Sequence, residues 1–217
     1  MTTIYLVRHM ETEANVSRHL QGQSDTAPSE TGLMQLKWLG ERFDNISIDK
    51  IYTSPLNRAK ITAQAVRGGR NISIVEDKRL MEIDLGDMEN TYIPTMETTH
   101  PEQFVSINSK LHTLSAPNGE NVEQVHARMS KVLNDIVKNN NGKTVVIVSH
   151  GLAIQACSCG LHGKDHTYID NIPLGQNTSV TKATYGSDGT YTICYMNDVE
   201  HIPEEFRKSH KKYLASK

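Results

Sequence analysis

The chain has 217 residues, 37% of them hydrophobic and 22% charged, and its formal net charge is −2. This length suits one domain with a large core, which we predict over residues 1–217. The near-neutral charge, without a patch of Lys and Arg, predicts no binding to nucleic acid or to an anionic membrane. No apolar run approaches the roughly 20 residues that cross a bilayer, and no signal peptide opens the chain, so we expect a cytoplasmic protein.

Apolar runs and helical patterns alternate along the sequence. Residues 4–7 and 144–148 are continuous apolar runs, typical of parallel strands buried on both faces, and residues 50–53 form a shorter run. Helical patterns occupy three stretches, which are residues 29–43, 54–67 and 121–140. Residues 181–185 and 190–195 flank a Gly-Ser-Asp-Gly turn, which predicts a hairpin near the C-terminus.

Strands that alternate with helices predict an α/β protein, here a three-layer α/β/α sandwich with a mostly parallel sheet and an antiparallel edge. Residues 86–120 lack clear periodicity, and we predict a helical insertion there, above the sheet and over the candidate site. Ser54 and Pro55 are expected to start the second helix, as its N-cap and its first residue, and Gly68 to stop it.

Two histidines stand at the ends of predicted strands. His9 closes the first apolar run, and His150 closes the run at 144–148. Ligands of open α/β sheets bind beyond the carboxyl ends of the strands, so both histidines are candidates for one site. If the two strands are neighbours, the imidazoles will lie side by side, whereas a lone histidine is more often structural or solvated.

Two arginines accompany these histidines. Arg58 lies about one turn into the second helix, where the helix macrodipole disfavours a cation. A bound anion would offset that cost, because helix N-termini and guanidinium groups both suit phosphate. Arg58 alone would more often be a surface residue, but together with Arg8, next to His9, it favours an anion site.

The stretch 80–89 carries four carboxylates, which are Glu82, Asp84, Asp87 and Glu89. Such a stretch is usually a solvated loop. A carboxyl group wedged between apolar neighbours can instead serve as a general acid. Spacing alone does not choose among the four.

In this order, the motifs resemble the histidine phosphatase superfamily, which includes the cofactor-dependent phosphoglycerate mutases. The family motif Arg-His-Gly-Glu-Thr-x-x-Asn corresponds to residues 8–15, with Met10 in place of Gly. Further matching blocks follow at the family's spacing, at residues 21–32, 54–63, 80–89, 149–151 and 177–180. Met10 is expected to narrow the pocket, and Asn90 stands where Gly often follows the second Glu of the third block.

The resemblance implies a role for each matching residue. His9 would be the nucleophile that becomes phosphohistidine, and Glu82 the proton donor. The phosphoryl oxygens and the substrate would contact a larger set, which comprises Arg8, Asn15, Gln21, Gly22, Arg58, His150 and Gly151. Two arginines and a donor histidine suit phosphoryl transfer, which depends mainly on positioning and charge neutralisation.

The implied mechanism is metal-independent. His9 must attack through an unprotonated nitrogen, so its other ring nitrogen should donate to a backbone carbonyl. Glu82 would release the alcohol as an acid and then activate water as a base. No cofactor is implied, and no cluster of Cys and His residues has the spacing of a zinc site.

We predict a phosphatase acting on a small-molecule phosphoester, with the substrate left open. The first alternative is a cofactor-dependent phosphoglycerate mutase, but such mutases typically carry Ser at position 12 and a Trp shortly after it. This chain has Thr12, its only Trp is Trp38, and Lys110 is the one clear cation candidate in the insertion. The second alternative, a non-catalytic phosphoester-binding regulator, usually lacks the nucleophile or the acid, and both are present here.

Overall fold

The computed structural model describes residues 1–207 of the 217-residue chain. The strands are β1 Thr2–Arg8, β2 Lys50–Thr53, β3 Ile74–Glu76, β4 Thr144–Ser149, β5 Val180–Tyr185 and β6 Tyr191–Asp198. The α-helices are α1 Glu13–Val16, α2 Glu30–Phe43, α3 Asn57–Arg67, α4 Met96–Thr99, α5 Pro101–Ser109, α6 Val122–Asn139 and α7 Gly151–Leu161. Short 3-10 turns lie at Lys78–Leu80, Gly86–Met88, Ile93–Thr95, Leu111–Thr113, His166–Asn171 and Glu204–Phe206.

The six strands form one sheet in the order β3-β2-β4-β1-β5-β6. β1 pairs in parallel with β4, in a register that sets Arg8 opposite Ser149. The β5–β6 hairpin closes the other side as an antiparallel edge. Because β1 and β4 are neighbours in parallel, the residues that follow them emerge together at one edge of the sheet.

Two hydrophobic clusters cover the two faces of this sheet. On one face, alternate residues of β1 and β4 pack with the apolar side of α6 and with α7. On the other face, the intervening strand residues pack with α2 and α3. This alternation confirms the predicted three-layer α/β/α sandwich, and it explains why the strands read as continuous apolar runs.

The starts of α2 and α3 differ in their local chemistry. Ser29 caps α2, its Oγ accepting from the Gly32 N–H at 3.0 Å. The prediction that Ser54 caps the next helix is wrong, since α3 begins at Asn57 and the Ser54 Oγ accepts from the Leu56 N–H inside the preceding turn. Arg58 is therefore the second residue of α3, nearer the helix N-terminus than the sequence indicated.

The stretch 86–120 is built of short helical pieces, including α4 and α5. Its first part pairs with the segment after α1, through hydrogen bonds from Leu20 N to Thr91 O and from Ile93 N to Arg18 O, both at 2.9 Å. The insertion is thus attached to the chain that follows the first strand. Within residues 1–207, no helix combines the length and apolarity needed to span a membrane.

Candidate active site

His9 and His150 lie side by side at the carboxyl edge of the sheet. Their ring centroids are 5.2 Å apart, and the side chains are 4% and 0% exposed. Each follows one member of the paired Arg8 and Ser149, so the strand register brings the rings together. The proximity expected for neighbouring strands is confirmed.

The two imidazoles have opposite tautomers. His9 Nδ1 lies 2.6 Å from Met10 O, and a carbonyl only accepts, so this nitrogen carries the hydrogen and Nε2 keeps its lone pair. His150 Nδ1 accepts from Arg58 Nε at 3.1 Å, so its hydrogen is on Nε2. That buried Nε2–H has no partner among residues 1–207. One ring therefore presents a bare nitrogen and its neighbour presents a donor.

The electrostatic surroundings keep both rings neutral. Burial lowers the pKa of His9 well below its usual 6.5, and the positive charges of Arg58 and Arg8 lower it further. Burial and then Arg58 lower the pKa of His150 in the same way. An imidazole that stays uncharged at neutral pH keeps its nucleophilic lone pair.

Arg58 is 1% exposed, and most of its five N–H groups are already bonded. Beyond His150, Nη1 donates to Ser24 O at 2.6 Å and to Asp25 Oδ1 at 3.1 Å, and Nη2 donates to Gly22 O at 2.5 Å. One N–H on Nη2 has no partner among residues 1–207 and is available to a ligand. Arg58 thus organises the loop around the site as well as offering one donor to an anion.

Arg8 reaches across the start of α7. Its Nη1 donates to Gly175 O at 2.6 Å, while its buried Nε has no partner in the described chain. A Cβ on Gly151 would lie 2.9 Å from Leu174 Cδ1 and 3.4 Å from the Arg8 guanidinium carbon, so the close approach is to Leu174 and the distance to Arg8 is an ordinary contact. Gly151 therefore contributes no side chain to the site, and its backbone lies beside the Arg8 guanidinium.

Glu82 sits on the N-terminus of α7. Its Oε1 accepts from Ile83 N and Ala153 N, both at 3.0 Å, and its Oε2 accepts from Leu152 N at 3.1 Å. Because His150 is the N-cap of α7, this carboxyl group is attached to the same helix start as the second histidine.

The other three carboxylates of this stretch bind elsewhere. Glu89 accepts from the backbone N–H groups of Gly22 and Gln23. Asp84 accepts from the N–H of Gly86, and Asp87 from the side chain of Asn118. Of the four candidates left open by the sequence, Glu82 is the one that contacts α7.

The remaining predicted binding residues differ in what they offer. Gln21 has both ends of its amide bonded, Oε1 to Thr12 Oγ1 at 2.8 Å and Nε2 to Thr26 Oγ1 at 3.0 Å. Gly22 contributes its carbonyl to Arg58. Asn15 uses its Oδ1 within the fold, and its Nδ2 makes no hydrogen bond in residues 1–207, which leaves a donor for a ligand.

The two departures from the family motif have structural explanations. Met10 is 0% exposed, with its sulfur 3.4 Å from Thr62 Oγ1 of α3, so its side chain packs against α3; that it narrows the pocket stays a prediction. Asn90 has φ 60°, the left-handed conformation that Gly and Asn tolerate best.

Residues 177–180 match a late motif of the family, but the sequence alone predicts no role for them. Asn177 Nδ2 donates to His9 O at 3.1 Å and to Asn15 Oδ1 at 3.2 Å. Thr178 N donates to Arg8 O and His9 O. The motif indicates that these residues matter, but only the contacts in the folded protein show that they bind the backbone of His9.

Comparison with known proteins identifies the same family as the motifs do. The model of the histidine phosphatase superfamily (branch 1) matches residues 4–198. "Phosphoserine phosphatase 1" of Hydrogenobacter thermophilus is 28% identical, over 97% of this chain and 99% of the relative. "Probable phosphoglycerate mutase GpmB" of Cronobacter sakazakii is 32% identical, over 93% and 95%. The solved structure of Bacillus stearothermophilus YhfR superposes with a TM-score of 0.87 at 34% identity, over 93% and 99%. These matches confirm the resemblance of the motifs, and the chain belongs to branch 1 of the histidine phosphatase superfamily.

Proposed function

We propose that this protein hydrolyses a small phosphomonoester through a phosphohistidine intermediate on His9. The observation that carries the proposal is the pair of opposite tautomers, a bare His9 Nε2 beside a His150 Nε2–H. The first supplies a nucleophile and the second a hydrogen-bond donor for a phosphoryl oxygen. Phosphoryl transfer requires this combination of positioning and charge stabilisation.

In the first half-reaction, His9 Nε2 bonds to phosphorus while the bond from phosphorus to the leaving oxygen breaks. Glu82 gives its proton to that oxygen, and the alcohol departs. Arg8, His150 and the remaining N–H of Arg58 donate to the equatorial oxygens, where charge accumulates. Asn15 Nδ2 is a further donor.

In the second half-reaction, the Glu82 carboxylate takes a proton from water, and the resulting hydroxide attacks phosphorus. The bond between phosphorus and His9 Nε2 breaks, which returns a neutral imidazole and releases inorganic phosphate. Each residue ends in its starting protonation state, so no metal, electron carrier or other cofactor enters the balance.

The phosphatase assignment is preferred over a phosphoglycerate mutase. A mutase must hold a doubly phosphorylated intermediate, which demands cations beyond the first phosphate. Lys110, the candidate from the insertion, is exposed at the end of α5. The relatives carry both kinds of name, so the mutase stays as the alternative to be tested.

The test is a screen for phosphate release over a panel of phosphomonoesters that includes phosphoserine and 3-phosphoglycerate. His9→Ala should lower turnover by at least about 1000-fold, because removing the nucleophile removes the intermediate. The wild type should form an acid-labile, alkali-stable phosphoenzyme that His9→Ala lacks. His162→Ala, an exposed histidine in the turn after α7, is the matched control and should behave as wild type.

Two outcomes decide against the proposal. Activity of His9→Ala within a few fold of wild type would remove His9 from its role. Conversion of 3- to 2-phosphoglycerate that depends on 2,3-bisphosphoglycerate, without release of phosphate, would select the mutase.

A further inference from the structure

A tight turn before β5 contacts the backbone of the proposed nucleophile. Thr178 N donates to Arg8 O at 3.1 Å and to His9 O at 3.3 Å. The side-chain Nδ2 of Asn177 donates to the same His9 carbonyl at 3.1 Å. Two donors from consecutive residues therefore hold the peptide unit that carries the His9 side chain.

This turn is conformationally strained. Thr178 has φ 60°, and its side chain is β-branched and 0% exposed. A β-branched residue in the left-handed region is a genuine outlier, unlike Gly or Asn. Such a conformation persists only where surrounding contacts enforce it, and it is concentrated at functional sites.

The enforcing contacts form a hydrogen-bond chain with a defined direction. Arg42 Nη1 lies 3.1 Å from His201 Nδ1, and because a guanidinium only donates, the hydrogen of His201 is on Nε2. His201 Nε2 lies 3.3 Å from Thr178 Oγ1, which in turn donates to Asn177 O at 2.7 Å. Burial, with a contribution from Arg42, lowers the pKa of His201 to about 4, in keeping with a neutral ring.

The far end of this chain is anchored outside the site. Arg42, on α2, forms an ion pair with Asp198 and donates from Nη2 to Tyr195 Oη at 3.1 Å. Both partners belong to β6, the edge strand of the sheet. The chain therefore ties the turn at His9 to α2 and to the sheet edge.

We propose that Thr178 is a positioning residue for His9, and that His201 holds Thr178 in its left-handed conformation. The inference rests on the proposed function, in which His9 is the nucleophile. Release of the Thr178 hydroxyl would let the turn relax and move the His9 carbonyl. A misplacement of 1 Å costs about 100-fold in rate when reacting atoms must align.

The experiment compares Thr178→Val, which keeps the shape and loses the hydroxyl, with Thr178→Ser, which keeps the hydroxyl. Rapid-quench kinetics with an excess of phosphoserine, or of the best substrate of the screen, give the rate constant and the amplitude of phosphoenzyme formation, and steady-state kinetics give KM. Thr178→Val should lower the rate constant at least about 10-fold with KM within about twofold. Thr178→Ser should restore the rate constant to within about threefold of wild type.

The amplitude counts folded sites, so it separates positioning from a merely structural role. A smaller amplitude with an unchanged rate constant in Thr178→Val would overturn the inference. His201→Leu provides a second variant with Thr178 intact, should Thr178→Val fail to fold, and it should lower the rate constant in the same direction.

The double variant Thr178→Val/His201→Leu tests the connection between the two residues. If they act as one unit, the double variant should be no slower than the slower single variant. If the effects of the two substitutions on the rate constant multiply in the double variant, the role of His201 is overturned. A wild-type enzyme that forms no phosphohistidine would overturn the proposed function as well, whereas normal phosphorylation of His9 with no effect of either variant would overturn the positioning role alone.

Discussion

Glu82 has one carboxylate oxygen better suited than the other to carry a proton. Oε1 accepts two backbone N–H groups, from Ile83 and Ala153, whereas Oε2 accepts one, from Leu152. A carboxyl oxygen has two lone-pair directions, so Oε2 retains one for hydrogen. In the proposed mechanism, Oε2 is therefore the atom that exchanges the proton with the leaving alcohol.

This geometry predicts that the effect of Glu82→Gln depends on the leaving group. The variant should lower kcat/KM, which reports the first half-reaction, about 100- to 10,000-fold on alkyl phosphomonoesters, the usual contribution of a general acid. It should affect p-nitrophenyl phosphate much less, because p-nitrophenolate departs without protonation. Steady-state kinetics on both substrates give the comparison.

The matched control for this substitution is Glu123→Gln, which changes an exposed carboxylate on α6. It should leave kcat/KM unchanged on both substrates. An equal loss of kcat/KM on the two substrates in Glu82→Gln would mean that Glu82 acts by holding α7 and not by supplying a proton.

The loop at residues 22–25 connects the insertion to Arg58. Glu89 accepts from Gly22 N at 3.2 Å, Gln23 N at 2.6 Å and Ser24 Oγ at 2.8 Å. The carbonyls of Gly22 and Ser24 accept from Arg58. The position of Arg58 thus depends on Glu89, a carboxylate more than sixty residues after the loop that Arg58 contacts.

Gly22→Ala should disturb this loop. A Cβ at this position would lie 2.3 Å from Glu89 Oε1 and 2.6 Å from Ile83 O, so the backbone must shift and Arg58 loses its alignment. We expect kcat/KM to fall by about 10-fold or more, and vanadate to bind more weakly. Gly69→Ala, where a Cβ meets nothing within 4 Å, should match the wild type. Wild-type kinetics in Gly22→Ala would contradict this role of the loop.

At the scale of the whole molecule, three buried histidines couple stability to pH. Burial lowers the pKa values of His9, His150 and His201 below the usual 6.5, to about 4 for His201. The unfolded chain therefore binds protons at a higher pH than the native protein does. Each histidine contributes stability that is complete above pH 6.5 and is lost as the pH falls toward its native pKa.

The free energy of unfolding, measured in urea, should consequently decline between pH 7.5 and pH 5. The expected slope is on the order of 1 kcal/mol per pH unit for each histidine. The carboxyl groups whose pKa is lowered by folding, such as Asp77 and Glu120, have ordinary pKa values of 3.8 and 4.5. Their contribution to the free energy of unfolding is therefore lost mainly at pH values below this window. His201→Leu should flatten the slope, and a stability independent of pH over this range in the wild type would refute the coupling.

Much of the architecture and the core of the site follow from the sequence alone. Continuous apolar runs predict strands covered on both faces, because local hydrophobicity reports burial. His9 and His150 could be placed at one edge because the carboxyl ends of parallel strands meet there. The ordered motifs identified the superfamily, and the expected carbonyl partner of the His9 ring is Met10 O.

Other features depended on contacts between residues far apart in the chain. The helix start predicted at Ser54 shifted because a turn used its hydroxyl, and Met10 turned into the core against α3. The choice of Glu82 among four carboxylates needed the position of α7. The chain from Arg42 through His201 to Thr178 joins residues more than 150 positions apart, and no local pattern encodes such a hydrogen bond. Local periodicity thus determined the elements and their order, whereas the direction of each proton and the free donors were decided only when the elements packed.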